Sequence, residues 1–201
     1  HYGFDALALH GELEQRDRDE VLVRFANRSC NVLVASDVAA RGLDIHDIGA
    51  VVNYELPTDA DTYLHRVGRT GRAGRDGLAL SLVASAERGR ALPIEKRLRE
   101  GGTTQAVRYE RVAPLEGKPR GVPQAAMATL RIDAGRTDKL RPGDIVGALT
   151  GGAGLHKDAI GKIDVFATRS YVAVARAQAG QALERLRAGK VKGRRLRIHR
   201  I

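Results

Sequence analysis

The sequence predicts an α/β domain with a parallel sheet, followed by a small α+β domain of the split-βαβ type. In the first hundred residues, short apolar runs alternate with amphipathic segments. Glycines and prolines then interrupt this pattern between residues 101 and 124. Residues 1–115 contain 16 Lys and Arg against 17 Asp and Glu, whereas residues 116–201 contain 18 against 7. We therefore expect domains over 1–115 and 126–201, joined by a linker at 116–125, with a polyanion as the partner of the second.

In the first domain, compact apolar runs predict strands, and longer amphipathic segments predict helices. The predicted strands are Ala6–Leu9, Asn31–Ala35, Gly49–Tyr54 and Gly77–Val83. The predicted helices are Leu13–Phe25, Asp59–Val67 and Glu87–Arg99. Strands that alternate with helices through short connections favour a parallel sheet, which binds ligands at the carboxyl ends of its strands. A further strand over Ala106–Val112 is also predicted.

In the second domain, the pattern predicts the order β-α-β-β-α-β. The predicted strands are Thr129–Asp133, Ile160–Phe166, Ser170–Ala175 and Arg195–Ile201. The predicted helices are Pro142–Leu149 and Ala179–Leu186. This split-βαβ plan is common among small RNA-binding sheets, although many other modules share it.

Composition excludes several classes of function. No apolar run approaches the roughly 18 residues that a membrane span needs, and no signal-peptide pattern is present. A single cysteine, Cys30, excludes an internal disulfide and a cysteine-cluster zinc site. This cysteine content fits a reducing compartment, so we expect a cytoplasmic location. The histidines lack the spacing of metal ligands, so we expect no metal centre built from these residues.

The segment from His65 to Gly74 combines three arginines with three glycines. Arginine matches phosphate oxygens with a planar fork of donors, and glycine allows close approach of the backbone. If the segment is helical, Arg66, Arg69 and Arg72 lie near one face. A solvated basic face is the alternative interpretation.

Three motifs in order carry a family resemblance. They are Leu9-His10-Gly11 followed by Gln15-x-x-Arg18, the stretch Ala35–Ile45 with Ser36 where threonine is usual, and His65–Arg72. Residues 6–112 resemble the second RecA-like domain of the DEAD-box RNA helicases, here N-terminally truncated.

The resemblance implies roles for the matching positions. Arg69 and Arg72 would contact the γ-phosphate of ATP, with Arg72 as the arginine finger, and Asp44 would bind the ribose. His65 and Arg66 would couple the motif to its neighbours. The residues implied to contact the RNA backbone are Gly11, Gln15, Arg18, Ser36 and Gly42.

The resemblance further implies that ATP with Mg²⁺ is bound mainly by an N-terminal RecA-like domain. The sequence contains neither a Gly-x-x-x-x-Gly-Lys-Ser/Thr loop nor an Asp-Glu-Ala-Asp motif. We therefore expect residues 1–201 alone to be inactive in ATP hydrolysis.

A second resemblance covers Met127–Ile201, which is similar to the C-terminal RNA-recognition domain of the bacterial DEAD-box protein A group. The segments that carry it include Leu130–Asp133, Arg141–Leu149, Ile160–Ile163 and Tyr171–Val174. The resemblance implies a monomer that anchors to a large-subunit ribosomal RNA hairpin and remodels nearby helices during ribosome assembly. Its partners would be that RNA and the N-terminal RecA-like domain.

The residue types in this domain favour RNA binding through positive charge rather than through base stacking. Tyr171 matches the aromatic signature of RNA-recognition sheets, but Ala173 and Arg176 stand where further aromatics are expected. We expect RNA affinity to depend on basic residues, although a solvated tail is the alternative for those near the C-terminus. The predicted RNA-binding residues are Tyr171, Arg136, Lys139, Arg141, Lys190, Lys192, Arg194, Arg195 and Arg197.

The sequence is also compatible with two other functions. A non-catalytic RNA-binding protein could keep the RecA-like fold as a scaffold, but Asp44, Arg69 and Arg72 would then have no use. A DNA-directed helicase is disfavoured because a recognition-type sheet follows the core.

Overall fold

The structure is a computed structural model that describes residues 2–40, 45, 48–71, 76–101, 107–113, 117 and 121–201. The chain divides into two compact units, one formed by residues 1–42 with 117–201 and the other by residues 43–116. The sequence-based boundaries at 115 and 126 remain predictions. Within the described ranges, no helix has the length and hydropathy to cross a membrane.

The N-terminal part of the first unit is a parallel β-α-β arrangement. Strand β1 (Ala6–Leu9) pairs with β2 (Val32–Ala35), with Leu9 opposite Ala35, and helix α1 (Gln15–Ala26) connects them. A short helix α2 (Asp37–Ala40), which the sequence pattern did not predict, follows β2 directly. Because parallel strands end at the same edge, the residues after Leu9 and after Ala35 lie close together.

The second unit repeats this arrangement. Strand β3 (Ala50–Asn53) pairs in parallel with β4 (Leu78–Ser81), and helix α3 (Ala60–Val67) lies between them in sequence. Helix α4 (Arg88–Glu100) completes the unit. Its buried core consists of Leu56, Tyr63, Ala91 and Ile94.

Two expectations differ from the structure. The described residues 107–113 form no strand, so the additional strand predicted over 106–112 is wrong there. In addition, the parallel strands form two separate pairs among the described residues rather than one continuous sheet. The parallel β-α-β units themselves agree with the predicted α/β class.

The C-terminal part of the first unit has the predicted β-α-β-β-α-β order. Its elements are β5 (Met127–Ile132), α5 (Pro142–Thr150), β6 (Ile160–Val165), β7 (Ser170–Ala175), α6 (Ala179–Ala188) and β8 (Ile198–Arg200). The strands form an antiparallel sheet in the order β6-β7-β5-β8. Leu130, Val172, Ile145 and Leu186 are almost fully buried between this sheet and the two helices.

Candidate functional site

Gly11 and Ser36 lie at the carboxyl ends of β1 and β2. The backbone N–H of Ser36 donates to the carbonyl oxygen of Leu9 at 3.1 Å, which extends the pairing of the two strands by one residue. Both residues are exposed, and space around the Gly11 Cα is open. The two predicted backbone-contacting residues are thus held at one edge by strand pairing.

Gln15 and Arg18 lie in the first turns of α1, the helix that leaves this edge. Gln15 Nε2 donates to Asp19 Oδ1 at 2.7 Å, while Arg18 Nη2 donates to the carbonyl oxygen of Ala39 at 3.3 Å. Arg18 therefore links α1 to the helix after β2. We call Gly11, Gln15, Arg18 and Ser36 the strand-end group. Gly42, predicted to join them, lies outside the described residues.

The segment from His65 to Gly74, which we call the arginine segment, is not one continuous helix. Helix α3 begins at its N-cap Asp59, whose Oδ1 accepts from the backbone N–H of Thr62 at 2.7 Å. The helix ends at Val67, with Gly68 as its C-cap, so Arg69 follows the helix. Arg66 and Arg69 therefore do not share a helical face, and the predicted end of this helix at Val67 is confirmed. Arg72 and Asp44 lie outside the described residues.

Arg66 joins helix α3 to the end of β3. Its Nη1 donates to Asn53 Oδ1 and to the carbonyl oxygen of Glu55, each at 3.0 Å. Asn53 is only 2% exposed, and its Nδ2 donates to Ser81 Oγ on β4 at 3.2 Å. Charged hydrogen bonds of this kind fix the end of α3 against the strand pair.

The backbone around Arg69 is held on both sides. The N–H of Ile48 donates to the Arg69 carbonyl oxygen at 3.2 Å, and the Thr70 hydroxyl donates to the Ile48 carbonyl oxygen. A Cβ on Gly77 would lie 2.3 Å from the Gly71 nitrogen and 2.6 Å from Thr70 Oγ1. Only glycine therefore fits against this turn. The backbone that carries the partly exposed Arg69 side chain is thus fixed.

These supports were not identified from the sequence. Asn53 lies within the predicted strand Gly49–Tyr54, but its bond to Arg66 depends on the position of α3. Gly77 is needed because its backbone lies close to that of Thr70 and Gly71. Residue patterns along the sequence do not reveal such a contact.

The basic residues of the C-terminal sheet domain come from two loops. Lys192 Nζ donates to the Lys139 carbonyl oxygen and lies 3.8 Å from Asp144 Oδ2. Arg194 Nη1 lies 3.8 Å from Asp138 Oδ1. The loop before α5 therefore meets the turn that precedes β8. We call Lys139, Arg141, Lys190, Lys192, Arg194 and Arg195 the basic loop surface, whose residues range from partly to fully exposed.

Backbone conformation is unusual in both loops. Lys139 has φ 58°, and Lys192 and Gly193 have φ 51° and 76°. The backbone groups of Val191 and Arg194 pair at 2.9 and 3.1 Å across Lys192 and Gly193, as in a tight hairpin. Positive φ at both central residues is typical of such turns, but a lysine there is strained. Strand β8 begins at Ile198, three residues later than the predicted start at Arg195.

Two predicted RNA-binding residues lie beside this surface. Arg136 Nη1 donates to the Val165 carbonyl oxygen at 2.9 Å and remains largely exposed. Arg197 is exposed just before β8, and its carbonyl oxygen accepts from the N–H of Asp133 at 3.0 Å. Both guanidinium groups are accessible to an anion.

Tyr171 differs from its prediction as an RNA-binding residue. Its side chain is buried, with 2% exposure, and its ring meets that of Phe166 edge to face at 5.6 Å between centroids. Its hydroxyl donates to Glu20 Oε2 at 3.4 Å. A ring with no free face cannot stack on a base, so this prediction is corrected.

No group of three or more His, Cys, Asp or Glu is arranged to hold a metal among the residues that the structure describes. Arg69 carries the chemistry suited to a phosphate group, as a guanidinium on a fixed backbone.

Comparisons with known proteins match both parts of the chain. Residues 1–74 match the helicase conserved C-terminal domain, and residues 129–200 match the DbpA RNA binding domain. The chain is 49% identical to the ATP-dependent RNA helicase DbpA of Escherichia coli over 196 residues, covering 98% of this chain and 41% of that protein. It is 32% identical to the ATP-dependent RNA helicase DbpA of Bacillus subtilis over 213 residues, covering 98% and 44%.

Among solved structures, a DEAD box protein from the hyperthermophile Methanococcus jannaschii is 41% identical, with a TM-score of 0.45 over 48% of this chain and 27% of that chain. The chain spans less than half the length of the two curated relatives. Both matched families occur in the predicted order, on a RecA-like α/β part and a split-βαβ part. The chain therefore belongs to the DbpA-type DEAD-box RNA helicases, with the helicase C-terminal domain followed by the DbpA RNA-binding domain.

Proposed function

We propose that the whole protein is an ATP-dependent RNA helicase that anchors to a large-subunit ribosomal RNA hairpin. It remodels nearby RNA helices during ribosome assembly in the cytoplasm. The relatives named as ATP-dependent RNA helicases support the reaction. The basic loop surface, gathered from two distant loops, is the observation that carries the RNA-anchoring role.

In the proposed reaction, ATP is the substrate and is bound mainly by a separate N-terminal RecA-like domain. Arg69 and Arg72 contact the γ-phosphate and balance the negative charge that develops on the transferring phosphoryl group. Asp44 accepts a hydrogen bond from the ribose. The hydrogen bonds at Ile48 and Thr70 support this role for Arg69, because they orient its backbone before ATP arrives.

The strand-end group is proposed to contact the RNA backbone. An exposed hydroxyl on Ser36, the open backbone at Gly11 and the polar groups of Gln15 and Arg18 suit phosphate and ribose without reading bases. Gly42 is proposed to join them. Anchoring through the basic loop surface, with Arg136 and Arg197 beside it, then concentrates the helicase on one RNA.

The catalytic proposal is tested by Arg72→Ala and Arg69→Ala in the full-length protein. We expect RNA-stimulated ATP hydrolysis to fall by about 10³-fold or more for the finger, since that is the usual contribution of such a residue. RNA binding by the C-terminal domain should persist. Retained turnover in both variants would contradict the assignment of Arg69 and Arg72 to the γ-phosphate. A lack of ATP hydrolysis in the unmodified full-length protein would favour a non-catalytic RNA-binding protein.

The anchoring proposal is tested by titrating residues 1–201 with large-subunit ribosomal RNA hairpins and with unrelated hairpins of equal length. We expect preference for one ribosomal hairpin at physiological salt and a steep loss of affinity as salt rises. Equal affinity for all hairpins would show that the basic loop surface binds RNA through charge alone and does not select a hairpin.

A further inference from the structure

The two loops that form the basic loop surface are each anchored in the core by one apolar residue. Leu140 and Val191 are both almost fully buried, and both belong to the hydrophobic core of the C-terminal sheet domain. The residues on either side of these anchors are all basic and exposed, namely Lys139, Arg141, Lys190 and Lys192. Because packed core residues hold one position, the backbone beneath these four cations is fixed before any ligand binds.

Two carboxylates lie among these cations, and both belong to the first loop. Asp144 Oδ2 accepts from the backbone N–H of Arg141 at 2.9 Å and lies 3.8 Å from Lys192 Nζ. Asp138 Oδ2 accepts from the backbone N–H three residues earlier at 3.0 Å, and its Oδ1 lies 3.8 Å from Arg194 Nη1. Each acid therefore caps the backbone of its own loop and faces a cation of the other loop.

The second loop has no acid of its own, since residues 187–200 contain seven Lys and Arg and no Asp or Glu. Negative charge reaches its cations from Asp138 and Asp144, whose side chains are partly exposed. A carboxylate beside a cation attracts that cation and repels a phosphate group. The two acids therefore hold the cations of the second loop in place and weaken the general attraction of this surface for phosphate.

The ammonium group of Lys192 is held from two sides. Its Nζ donates to the Lys139 carbonyl oxygen and lies beside the Asp144 carboxylate. Because an ammonium group has three N–H donors, donors remain for a phosphate oxygen on the exposed side. A free lysine side chain loses rotamer freedom when it binds, whereas a side chain that is already held loses less. The pairing with Asp144 thus favours one position of the cation over the others.

We propose that Asp138 and Asp144 determine the RNA specificity of the basic loop surface. An RNA whose phosphates match the fixed positions of Lys192 and Arg194 gains their full attraction, whereas a phosphate placed elsewhere is repelled by the carboxylates. Selectivity of this kind combines attraction of one partner with repulsion of others. The inference rests on the proposed anchoring function and adds that two acids, acting through the cations, select the hairpin.

Asp144→Asn tests this role, because asparagine keeps an oxygen that accepts from the Arg141 N–H and loses the charge that faces Lys192. Residues 1–201 are titrated with the large-subunit ribosomal RNA hairpin that the unmodified chain prefers and with an unrelated hairpin of equal length. We expect affinity to fall by about fivefold for the ribosomal hairpin and to rise by about twofold for the unrelated one, so the preference decreases by about tenfold.

Asp158→Asn is the matched control for this substitution. It removes the same charge from a side chain that is 88% exposed and lies beside His156 instead of a cation of the basic loop surface. The preference of this variant for the ribosomal hairpin should equal that of the unmodified chain. An equal change of preference in the two variants, or no change in either, would overturn the inference.

Asp144→Glu separates positioning from folding, because glutamate suits this capping position and restores the negative charge. It should keep the preference within about threefold of the unmodified chain. A parallel loss of affinity for both hairpins in Asp144→Asn, with a lower melting temperature, would show a purely structural role and overturn the inference. An absence of preference in the unmodified chain would instead contradict the proposed anchoring function, on which the inference depends.

Discussion

Asp5 and Arg176 form an ion pair, 2.7 Å from Oδ2 to Nη2, between residues 171 positions apart in the sequence. Asp5 precedes the first strand, and Arg176 follows β7. The Arg176 Nε also donates to the Ala125 carbonyl oxygen at 2.6 Å, while Asp5 accepts from the Ala125 N–H. The pair thus clamps the start of the C-terminal domain to the start of the chain.

The clamp predicts a pH-dependent contribution to stability. The Ala125 N–H and then Arg176 lower the pKa of Asp5 below its ordinary 3.8. Because the carboxylate is favoured in the folded state, its contribution is complete above the unfolded pKa and disappears as pH falls through the folded value. We expect Asp5→Asn to reduce the free energy of unfolding by about 1 kcal/mol at pH 7.

Urea denaturation at pH 7 and below pH 3 measures this effect. The difference from the unmodified chain should vanish at the lower pH. Asp158→Asn is the control, since the Asp158 side chain is 88% exposed. An equal loss in both variants, or a difference that persists in acid, would contradict the clamp.

Gly77→Ala should impair the arginine segment from a distance. Its methyl group would enter the space of Thr70 and Gly71, so the backbone after Arg69 must move. We expect ATP hydrolysis by the full-length protein to fall by about tenfold or more, because displacements near 1 Å can cost on the order of a hundredfold. RNA binding should change little.

Gly89→Ala is the matched control for that substitution. Gly89 lies in α4 with open space around its Cα, so alanine should preserve activity and stabilise the helix by roughly 0.5–1 kcal/mol. Similar ATPase rates for the two variants would show that close packing at Gly77 does not position Arg69.

Lys192→Asn should weaken RNA binding without lowering stability. Lys192 has φ 51° beside Gly193, and asparagine followed by glycine suits this turn better. We expect an unchanged or higher melting temperature for residues 1–201. The slope of log affinity against log salt should decrease by about 1, because one phosphate contact is lost.

Lys190→Asn removes the same charge from a position whose backbone does not adopt the strained left-handed conformation of Lys192. It should reproduce the change in salt dependence without the gain in melting temperature. Thermal unfolding and hairpin titrations of both variants test the distinction. A lower melting temperature for Lys192→Asn alone would mean that its bond to the Lys139 carbonyl outweighs the strain.

Cys30 should be nearly inert in the folded chain. Burial raises the pKa of its thiol to about 11, and the residue is 4% exposed. Since only the thiolate reacts, we expect alkylation by iodoacetamide at pH 8 to be at least about a hundredfold slower than in urea. Thr168→Cys in a Cys30→Ser background provides an exposed control, and equal rates at the two positions would contradict burial.

Local sequence patterns were sufficient to predict most of the elements and the family. Alternation and amphipathic periodicity located every strand of the C-terminal domain, and the motif residues alone identified the helicase family. Short patterns suffice for this because side-chain direction along a strand or helix repeats with a fixed period. The predicted end of a helix at Val67 was confirmed, since the Gly68 cap ends α3 there.

The surfaces that remain available to RNA follow instead from tertiary packing. The sequence pattern presents Tyr171 as an exposed aromatic residue, yet Glu20 and Phe166 enclose it. Lys139 and Lys192 meet through a contact spanning 53 positions. Such relationships depend on how distant segments pack, and no local periodicity encodes that packing.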